Sequence, residues 1–225
     1  MNLNKSIEVF NPAKVTQPLH IIGCGSVGSC VAELLARFGL TNFVLWDMDT
    51  VESKNIANQM FFETSIGLNK TDALKTVLES VNPECRNVLT KPDGWHSEPL
   101  AGYVFLCVDN IELRQQLVKK NLYNNQIQAM FDVRTSLWDA QLYAADWGDP
   151  AAKRALLDTM NFTHTEATQE VPVSACGEVL GVAPTVRFAA TVTVTNFQQF
   201  VTKNEIVPAM IVSPYHLKQG GVVTL

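Results

Sequence analysis

Residues 19–28 read LHIIGCGSVG, and this stretch decides the fold. A short, mainly apolar strand runs directly into glycines at 23, 25 and 28, which have the G-x-G-x-x-G spacing. Where such glycines join a strand to a helix, the missing side chains let backbone N–H groups approach a phosphate at the helix N-terminus. The stretch therefore predicts a nucleotide-binding turn, with Gly23, Gly25 and Gly28 as its candidate binding residues.

The segments around this turn alternate between strand and helix. In chain order they are a strand at Leu19–Ile22, a helix from Val27 to Phe38, a strand at Phe43–Trp46, a helix from Leu74 to Val81, a strand at Tyr103–Val108 and a helix at Ile111–Tyr123. Such alternation predicts a doubly wound, mostly parallel, Rossmann-like α/β sheet whose ligands bind at the carboxyl ends of the strands.

The second half of the sequence is less regular. Ile127–Phe131 and Gln141–Ala145 have strand patterns, and Asp149 with Pro150 suits the start of a helix that continues to Met160. Residues 161–174 are polar and aperiodic, which is typical of a long mobile loop. Thr191–Thr195 alternates like a strand although its neighbours suit a helix, so the pattern leaves that element open.

Length and composition favour one well-buried domain. The chain has 225 residues, of which 47% are apolar and 17% charged, and we expect residues 1–225 to form a single unit. Its nucleotide-binding half would cover about 18–125, and an extended C-terminal half, about 126–225, would complete the same domain and contact the carrier substrate.

Charge and cysteine usage exclude several classes of protein. A net charge of −5 provides no basic stripe and argues against nucleic-acid binding. The N-terminus lacks the apolar core of a signal peptide, and Arg187 and Asn196 interrupt the most apolar later stretch, so no membrane span is expected. Five scattered cysteines without a C-x-x-C pair build neither a disulfide framework nor a zinc site, which predicts a cytoplasmic protein.

The glycine loop alone does not separate NAD from ATP. Asp47 follows Gly28 by 19 residues, at the end of the second strand, where an acid typically binds the ribose hydroxyls of a nucleotide. Both nucleotides carry that ribose. The choice therefore depends on the residues that follow.

Three further motifs occur in order after the glycine loop: DMDTVESKNIANQ at 47–59, IGLNK at 66–70 and CVDN at 107–110. Together they resemble the ThiF/MoeB family, the adenylating core shared with ubiquitin-activating enzymes, whose pattern is roughly D-x-D-x-V-x-x-x-N-L-x-R-Q, I-G-x-x-K and a strand ending T-D-N. The resemblance is close over about 18–115. It continues weakly to about 200 through FDVR at 131–134 and VSACG at 173–177.

This resemblance implies ATP and Mg²⁺ as cofactors and gives roles to individual residues. Lys70 would lie along the phosphates, and Asp109 would hold Mg²⁺. Asn55 would hydrogen-bond a phosphate and Gln59 would position the loop, while Asp49 and Asn58 complete the nucleotide-binding set. Taken singly, such a lysine is usually solvated and such an aspartate is often a turn former or helix cap.

The chain departs from the family pattern where positive charge is needed. The family usually has Arg where this chain has Asn58, and the N-terminal segment lacks the arginine-rich entry with which family dimers reach the partner's site. Lys5, Lys14, Arg114 and Arg134 are the candidates to supply the missing charge. The departure leaves open slow catalysis, a helper subunit or a subfamily with a different phosphate clamp.

Cys176 follows the irregular polar stretch, near the position where thioester-forming family members carry their cysteine. A thiolate there would accept an acyl group from an adenylate. The alternative is a small buried core residue, as most free cysteines are.

The resemblance implies an ATP-dependent adenylyltransferase, working as a homodimer, that activates the C-terminal carboxylate of a small ubiquitin-like or sulfur-carrier protein or peptide, with Cys176, Lys70 and Asp109 as catalytic residues. One rival is an NAD(P)-dependent oxidoreductase, although no Tyr-x-x-x-Lys or His/Asp arrangement stands out. Another is a non-catalytic subunit that keeps the fold, and Asn58 is its best support.

Overall fold

A computed structural model of the chain describes residues 1–163, 166, 180–215 and 223–224. In those residues the strands are β1 Leu19–Ile22, β2 Phe43–Trp46, β3 Leu89–Lys91, β4 Gly102–Leu106, β5 Ile127–Thr135, β6 Ala140–Asp146, β7 Ala209–Val212 and β8 Val223–Thr224. The helices are α1 Ser26–Arg37, α2 Lys70–Val81, α3 Ile111–Asn121, α4 Pro150–Asp158 and α5 Ala183–Lys203.

Within the described residues, all the strands lie in one sheet, in the order β3-β2-β1-β4-β5-β6-β7-β8. Neighbouring strands are parallel from β3 to β5 and antiparallel from β5 to β8. The order reverses at β1, since the chain runs outward through β2 and β3 and then returns to β4 on the other side. The predicted doubly wound, mostly parallel sheet is confirmed, and the strands of the second half extend it.

Successive side chains of the central strands point to opposite faces of the sheet, and helices cover both faces. One buried cluster contains Ile21, Leu45 and Phe105 with residues of α1, α2 and α5; the other contains Ile22, Trp46 and Leu106 with residues of α3 and α4. A strand buried on both faces needs apolar side chains at every position. This is why the short runs at 19–22 and 43–46 contain almost no polar residues.

The open element at Thr191–Thr195 is part of α5 and not a strand. Its threonines satisfy their hydroxyls inside the helix: Thr191, Thr193 and Thr195 each donate to the carbonyl four residues earlier, at 2.8–2.9 Å. Such bonds let β-branched polar residues occupy a helix. Burial does not follow the alternation, because Thr193 and Val194 are both buried while Thr191 and Thr195 are exposed.

Several bounds differ from the predicted ones. The strand expected at Tyr103–Val108 ends at Leu106, and β5 continues beyond Phe131 to Thr135, through two charged residues. The short strands β3 and β7 carry no clear sequence pattern and lie outside the predicted elements. No described helix has the length and apolarity needed to cross a membrane.

Candidate nucleotide site

The three glycines after β1 have different physical reasons for lacking a side chain. Gly23 has φ +93°, and a Cβ there would lie 2.8 Å from the backbone of Cys107. A Cβ at Gly28 would lie 1.8 Å from the carbonyl oxygen of Gly23. At Gly25 a Cβ would have nothing within 4 Å. Gly23 and Gly28 are thus explained by packing, whereas Gly25 leaves open space in front of the backbone.

That open space lies at the N-terminus of α1. Gly25 is the N-cap residue and has no side chain to bond the first N–H groups of the helix. These groups and the helix dipole favour an anion. The loop is fixed to the sheet on both sides, because Gly23 N donates to the Trp46 carbonyl and Cys107 N to that of Ile22, each at 2.8 Å. The arrangement suits a phosphate group.

Asp47, predicted to bind ribose, holds the glycine loop in place. Its Oδ2 accepts a hydrogen bond from Cys24 N at 2.7 Å, and its Oδ1 accepts one from Asp49 N at 2.9 Å. Burial raises the pKa of this carboxyl, while those hydrogen bonds and Lys70 act in the opposite direction. Both oxygens keep a further lone pair for a ribose hydroxyl.

Lys70 and Asp49 form an ion pair at the same edge of the sheet. Lys70 Nζ lies 2.7 Å from Asp49 Oδ2; the lysine side chain is 10% exposed and the aspartate side chain 62%. Asn69 caps α2 by accepting from Thr71 N at 2.8 Å, and Lys70 N donates to the Asp49 carbonyl at 2.9 Å. The ammonium is therefore fixed at the start of α2, while its acidic partner borders solvent.

The segment between Asp49 and α2 contains the predicted amide residues. Asn55 is buried, and its Oδ1 accepts from Glu52 N at 2.8 Å, which closes a capping box on the short 3₁₀ helix Ser53–Ala57. Asn58 approaches the start of α5, because a Cβ at Gly181 would lie 3.2 Å from its Nδ2. Gln59 Oε1 is buried and lacks a hydrogen-bond partner among the described residues, so it can accept from a ligand.

Asp109 stands at the carboxyl end of β4, exposed to solvent. The helix that follows is capped by its neighbour Asn110, whose Oδ1 accepts from Leu113 N at 2.8 Å. Capping therefore does not explain Asp109. Across the described residues no three His, Cys, Asp or Glu side chains come together as a metal site, but Mg²⁺ is commonly held by one or two carboxylates and substrate phosphates.

A buried triad accounts for two of the candidate arginines. Asp132 is fully buried and pairs with Arg114 through Oδ1 and with Arg134 through Oδ2, the latter at 2.6 Å. Arg114 also bonds the carbonyls of Leu106, Val108 and Val133, where β4 and β5 end. Burial lowers the pKa of Arg114 to about 9 and that of Arg134 to about 10. Arg114 thus joins the ends of β4 and β5, whereas Arg134 joins β5 to Thr159 at the end of α4. The charged residues in the otherwise apolar FDVR are the sequence signal for this network.

Comparison with known proteins identifies the fold family. The family model described as "ThiF family" matches residues 15–218. The chain belongs to the ThiF family. The resemblance inferred from four motifs is thereby confirmed and extends over nearly the whole chain.

Curated ThiF-family relatives share only part of their length with this chain. The ubiquitin-like modifier-activating enzyme 5 of Oryza sativa subsp. japonica is 42% identical over 66 residues, 29% of this chain and 16% of the relative. That of Drosophila persimilis is 30% identical over 135 residues, 52% of this chain and 34% of the relative. The chain thus spans about a third or less of these relatives.

Solved structures agree with the fold over almost the whole chain. A crystal structure of PaaA has a TM-score of 0.70 at 17% identity and covers 96% of this chain and 66% of its own. E. coli MccB with ATP has a TM-score of 0.72 at 18% identity, with 95% and 65% covered, and MccB with SeMet MccA has 0.69 at 17%, with 94% and 64% covered.

The described ThiF-family fold brings most of the predicted site residues to one edge, but not all of them. The N-terminal segment carrying Lys5 and Lys14 lies at the opposite edge, since Leu3 contacts Gly39 beyond the C-terminal end of α1. Cys176 lies outside the described residues. Of the other four thiols, those of Cys24, Cys30 and Cys85 are buried and that of Cys107 is partly buried. Burial raises the pKa of all four, to about 11 for Cys30 and Cys85 and to about 12 for Cys107.

Proposed function

We propose that this chain is an adenylyltransferase that uses ATP to activate the C-terminal carboxylate of a small ubiquitin-like or sulfur-carrier protein or of a peptide. The observation that carries the proposal is the arrangement at one sheet edge of the uncapped α1 N-terminus, the fixed ammonium of Lys70 and the exposed carboxylate of Asp109. These groups suit a nucleotide triphosphate and its metal ion.

The reaction forms a bond between a carboxylate oxygen and the α-phosphorus and breaks the bond from that phosphorus to the bridging oxygen. Pyrophosphate leaves with the electron pair. Because two anions must approach each other, the site has to neutralise charge before attack. The α1 N–H groups and Lys70 would bind phosphate oxygens, with the Asn55 amide as a further donor. Mg²⁺ on Asp109, when bound, would neutralise phosphate charge.

The substrate class is supported by the family and by its named relatives. The curated relatives are called ubiquitin-like modifier-activating enzymes, and one solved neighbour holds MccB together with MccA. Both point to an acceptor larger than a free metabolite. We infer that the C-terminal tail of such an acceptor enters at the carboxyl edge of the sheet, in front of the glycine loop.

Ligand choice separates this proposal from an oxidoreductase. Thermal unfolding of the protein should be shifted upward by ATP with Mg²⁺ and less by NAD, because NAD cannot use Lys70 and Asp109 for a γ-phosphate. At ligand concentrations near 100 times Kd, the stabilisation is about 2.7 kcal/mol. Stronger protection by NAD would overturn the proposal.

Catalysis is tested by ATP–pyrophosphate exchange in the presence of peptides that end in Gly-Gly. Asp109→Asn should abolish exchange and leave the unfolding midpoint unchanged, because the side chain is exposed. Asp158→Asn, the same change at an exposed residue at the end of α4, should exchange like the wild type. ATP binding by a wild type that never exchanges would instead identify a non-catalytic subunit.

In a second step the Cys176 thiolate would attack the acyl carbon of the adenylate, forming a thioester while the bond from that carbon to oxygen breaks and AMP leaves. Cys176→Ala should keep pyrophosphate exchange and lose any covalent adduct with the carrier that thiols can cleave. If the variant completes the whole reaction at the wild-type rate, an external amine or sulfur donor attacks the adenylate directly. We further expect a homodimer, which sedimentation equilibrium of the purified protein would test.

A further inference from the structure

Even with Mg²⁺ at Asp109, the candidate nucleotide site supplies little positive charge of its own for a triphosphate. Asp47, Asp49 and Asp109 all lie at this edge of the sheet, and the charge of Lys70 is matched by its ion pair with Asp49. ATP would add about four negative charges to this surface. A favourable site needs at least one further cation near the α1 N-terminus.

Most of the other basic residues near the site are committed elsewhere. Arg114 and Arg134 are bound to the buried Asp132, and Arg37 pairs with Glu33 at the far end of α1. Lys54 is paired with Glu52 at 3.2 Å. Lys91 lies over the ring of Trp46, on the face of the sheet covered by α3 and α4.

Arg187 is the exception. It lies in the second turn of α5 and is exposed, and none of the hydrogen bonds or ion pairs of the described residues uses its guanidinium. The helix that carries it belongs to the same buried cluster as α1 and α2. An exposed arginine without a carboxylate partner keeps its full charge for a ligand.

The first turns of α5 are held at the glycine-loop end of α1. Thr185 Oγ1 donates to the Leu137 carbonyl at 2.9 Å, in the turn that follows the carboxyl end of β5. Just before the helix, Gly181 approaches Asn58. Two residues after Asn58, Met60 N donates to Ser29 Oγ of α1 at 3.1 Å, so Asn58 links the start of α5 to the first turn of α1. Arg187 therefore lies close to the first turns of α1.

The charges around Cys30 give the same position for the guanidinium. Cys30 lies in the second turn of α1, two residues after Gly28, and burial raises the pKa of its thiol to about 11. The positive charge of Arg187 acts against that rise, and the carboxylate of Glu33 adds to it. Glu33 is paired with Arg37, and no ion pair among the described residues joins it to Arg187.

We propose that Arg187 binds the phosphates of the nucleotide from the side of α1 opposite Lys70, and supplies the cation that Asn58 does not. Its guanidinium can donate two parallel hydrogen bonds to phosphate oxygens, which neither an amide nor an ammonium provides. The contact would be to the β- and γ-phosphates, the part that leaves as pyrophosphate. This inference rests on the proposed use of ATP.

The test compares the affinities of two nucleotides that differ in those phosphates. Arg187→Gln should weaken ATP binding by about 10- to 100-fold, as expected for lost hydrogen bonds to a charged group, and leave AMP binding within about threefold, in calorimetric titrations at constant salt. Arg154→Gln is the matched control, an exposed arginine of α4 on the other face of the sheet, and should bind both nucleotides like the wild type. Adding Asn58→Arg to Arg187→Gln should restore most of the ATP affinity.

Each result has a defined meaning. A wild type that binds neither nucleotide overturns the proposed function and this inference together. If the wild type binds ATP but no more tightly than the Arg187→Gln variant, only the inference is overturned. Equal loss of ATP and AMP affinity in Arg187→Gln would also overturn it, because a general disturbance of α5 affects both nucleotides alike.

Discussion

Gly28 provides a direct test of how the nucleotide turn is built. A Cβ at this position would lie 1.8 Å from the Gly23 carbonyl oxygen and 3.1 Å from the side chain of Ile21. Real Cβ atoms essentially never approach closer than 3.0 Å, so in Gly28→Ala the turn and α1 must separate by roughly 1 Å. That movement disturbs both the loop and the apolar contacts beneath the helix.

The expected cost follows from the rigidity of the surrounding backbone. Overpacking a buried position costs about 1–3 kcal/mol, and a backbone oxygen fixed by its position next to β1 cannot turn away as a side chain would. We therefore expect Gly28→Ala to lower the free energy of unfolding by about 3 kcal/mol, a large part of the roughly 5–15 kcal/mol by which a typical domain is stable. In urea this lowers the unfolding midpoint by about 1 M or more.

Gly25→Ser is the matched control for this measurement. A Cβ at position 25 meets nothing within 4 Å, and serine is a favoured N-cap residue. The free energy of unfolding of Gly25→Ser should therefore stay within about 1 kcal/mol of the wild-type value. ATP affinity should nevertheless fall at least about tenfold, because the hydroxyl occupies the phosphate position. A Gly28→Ala protein with the wild-type midpoint, or a Gly25→Ser protein with wild-type ATP affinity, would refute this account of the turn.

Three further predictions concern charged groups. Lys70→Met keeps the buried stem and removes the ammonium, so ATP affinity should fall about tenfold or more in calorimetric titration while the unfolding midpoint hardly changes. Asp132→Asn leaves two buried guanidiniums without a carboxylate and should cost about 3–5 kcal/mol in denaturant unfolding; a cost below 1 kcal/mol would contradict the triad. Burial lowers the pKa of His20 from 6.5 to about 4. The neutral imidazole therefore contributes to the free energy of unfolding in full above pH 6.5, and this contribution is lost as the pH falls toward 4. From pH 7 to pH 4 the wild type should lose about 3 kcal/mol more than His20→Gln, measured by urea unfolding at each pH.

The central sheet is predictable because its strands carry a strong local signal. The bounds of β1 and β2 are those expected from the sequence, Leu19–Ile22 and Phe43–Trp46. A strand buried on both faces is a short apolar run, and here a glycine or an aspartate marks its end. The strand β3 escapes prediction because it is short and largely exposed. The helix at Thr191–Thr195 stays open because threonine has a weak helix propensity, which buried contacts of α5 outweigh.

The sequence predicts which residues come together at the carboxyl edge of the sheet, but not how their charges are paired there. Motif order places Lys70 and Asp109 beside the glycine loop, and no local pattern could show that Lys70 is paired with Asp49 or that Asn55 caps its own turn. The ion pairs of Arg114 and Arg134 both involve Asp132, and Asp132 lies on a different strand-helix unit from Arg114. Such pairings are set by the packing of distant segments.

The buried triad also bears on how the two halves of the chain contribute to chemistry. Arg114 and Arg134 cannot turn toward a nucleotide without leaving Asp132 charged and unpaired in the core, which is more costly than the gain from one phosphate contact. The further cation that we propose for the triphosphate then comes from outside residues 18–125, from Arg187 on α5. The C-terminal half therefore does more than extend the sheet, because the strands β5 and β6 that anchor α5 also determine where its positive charge lies.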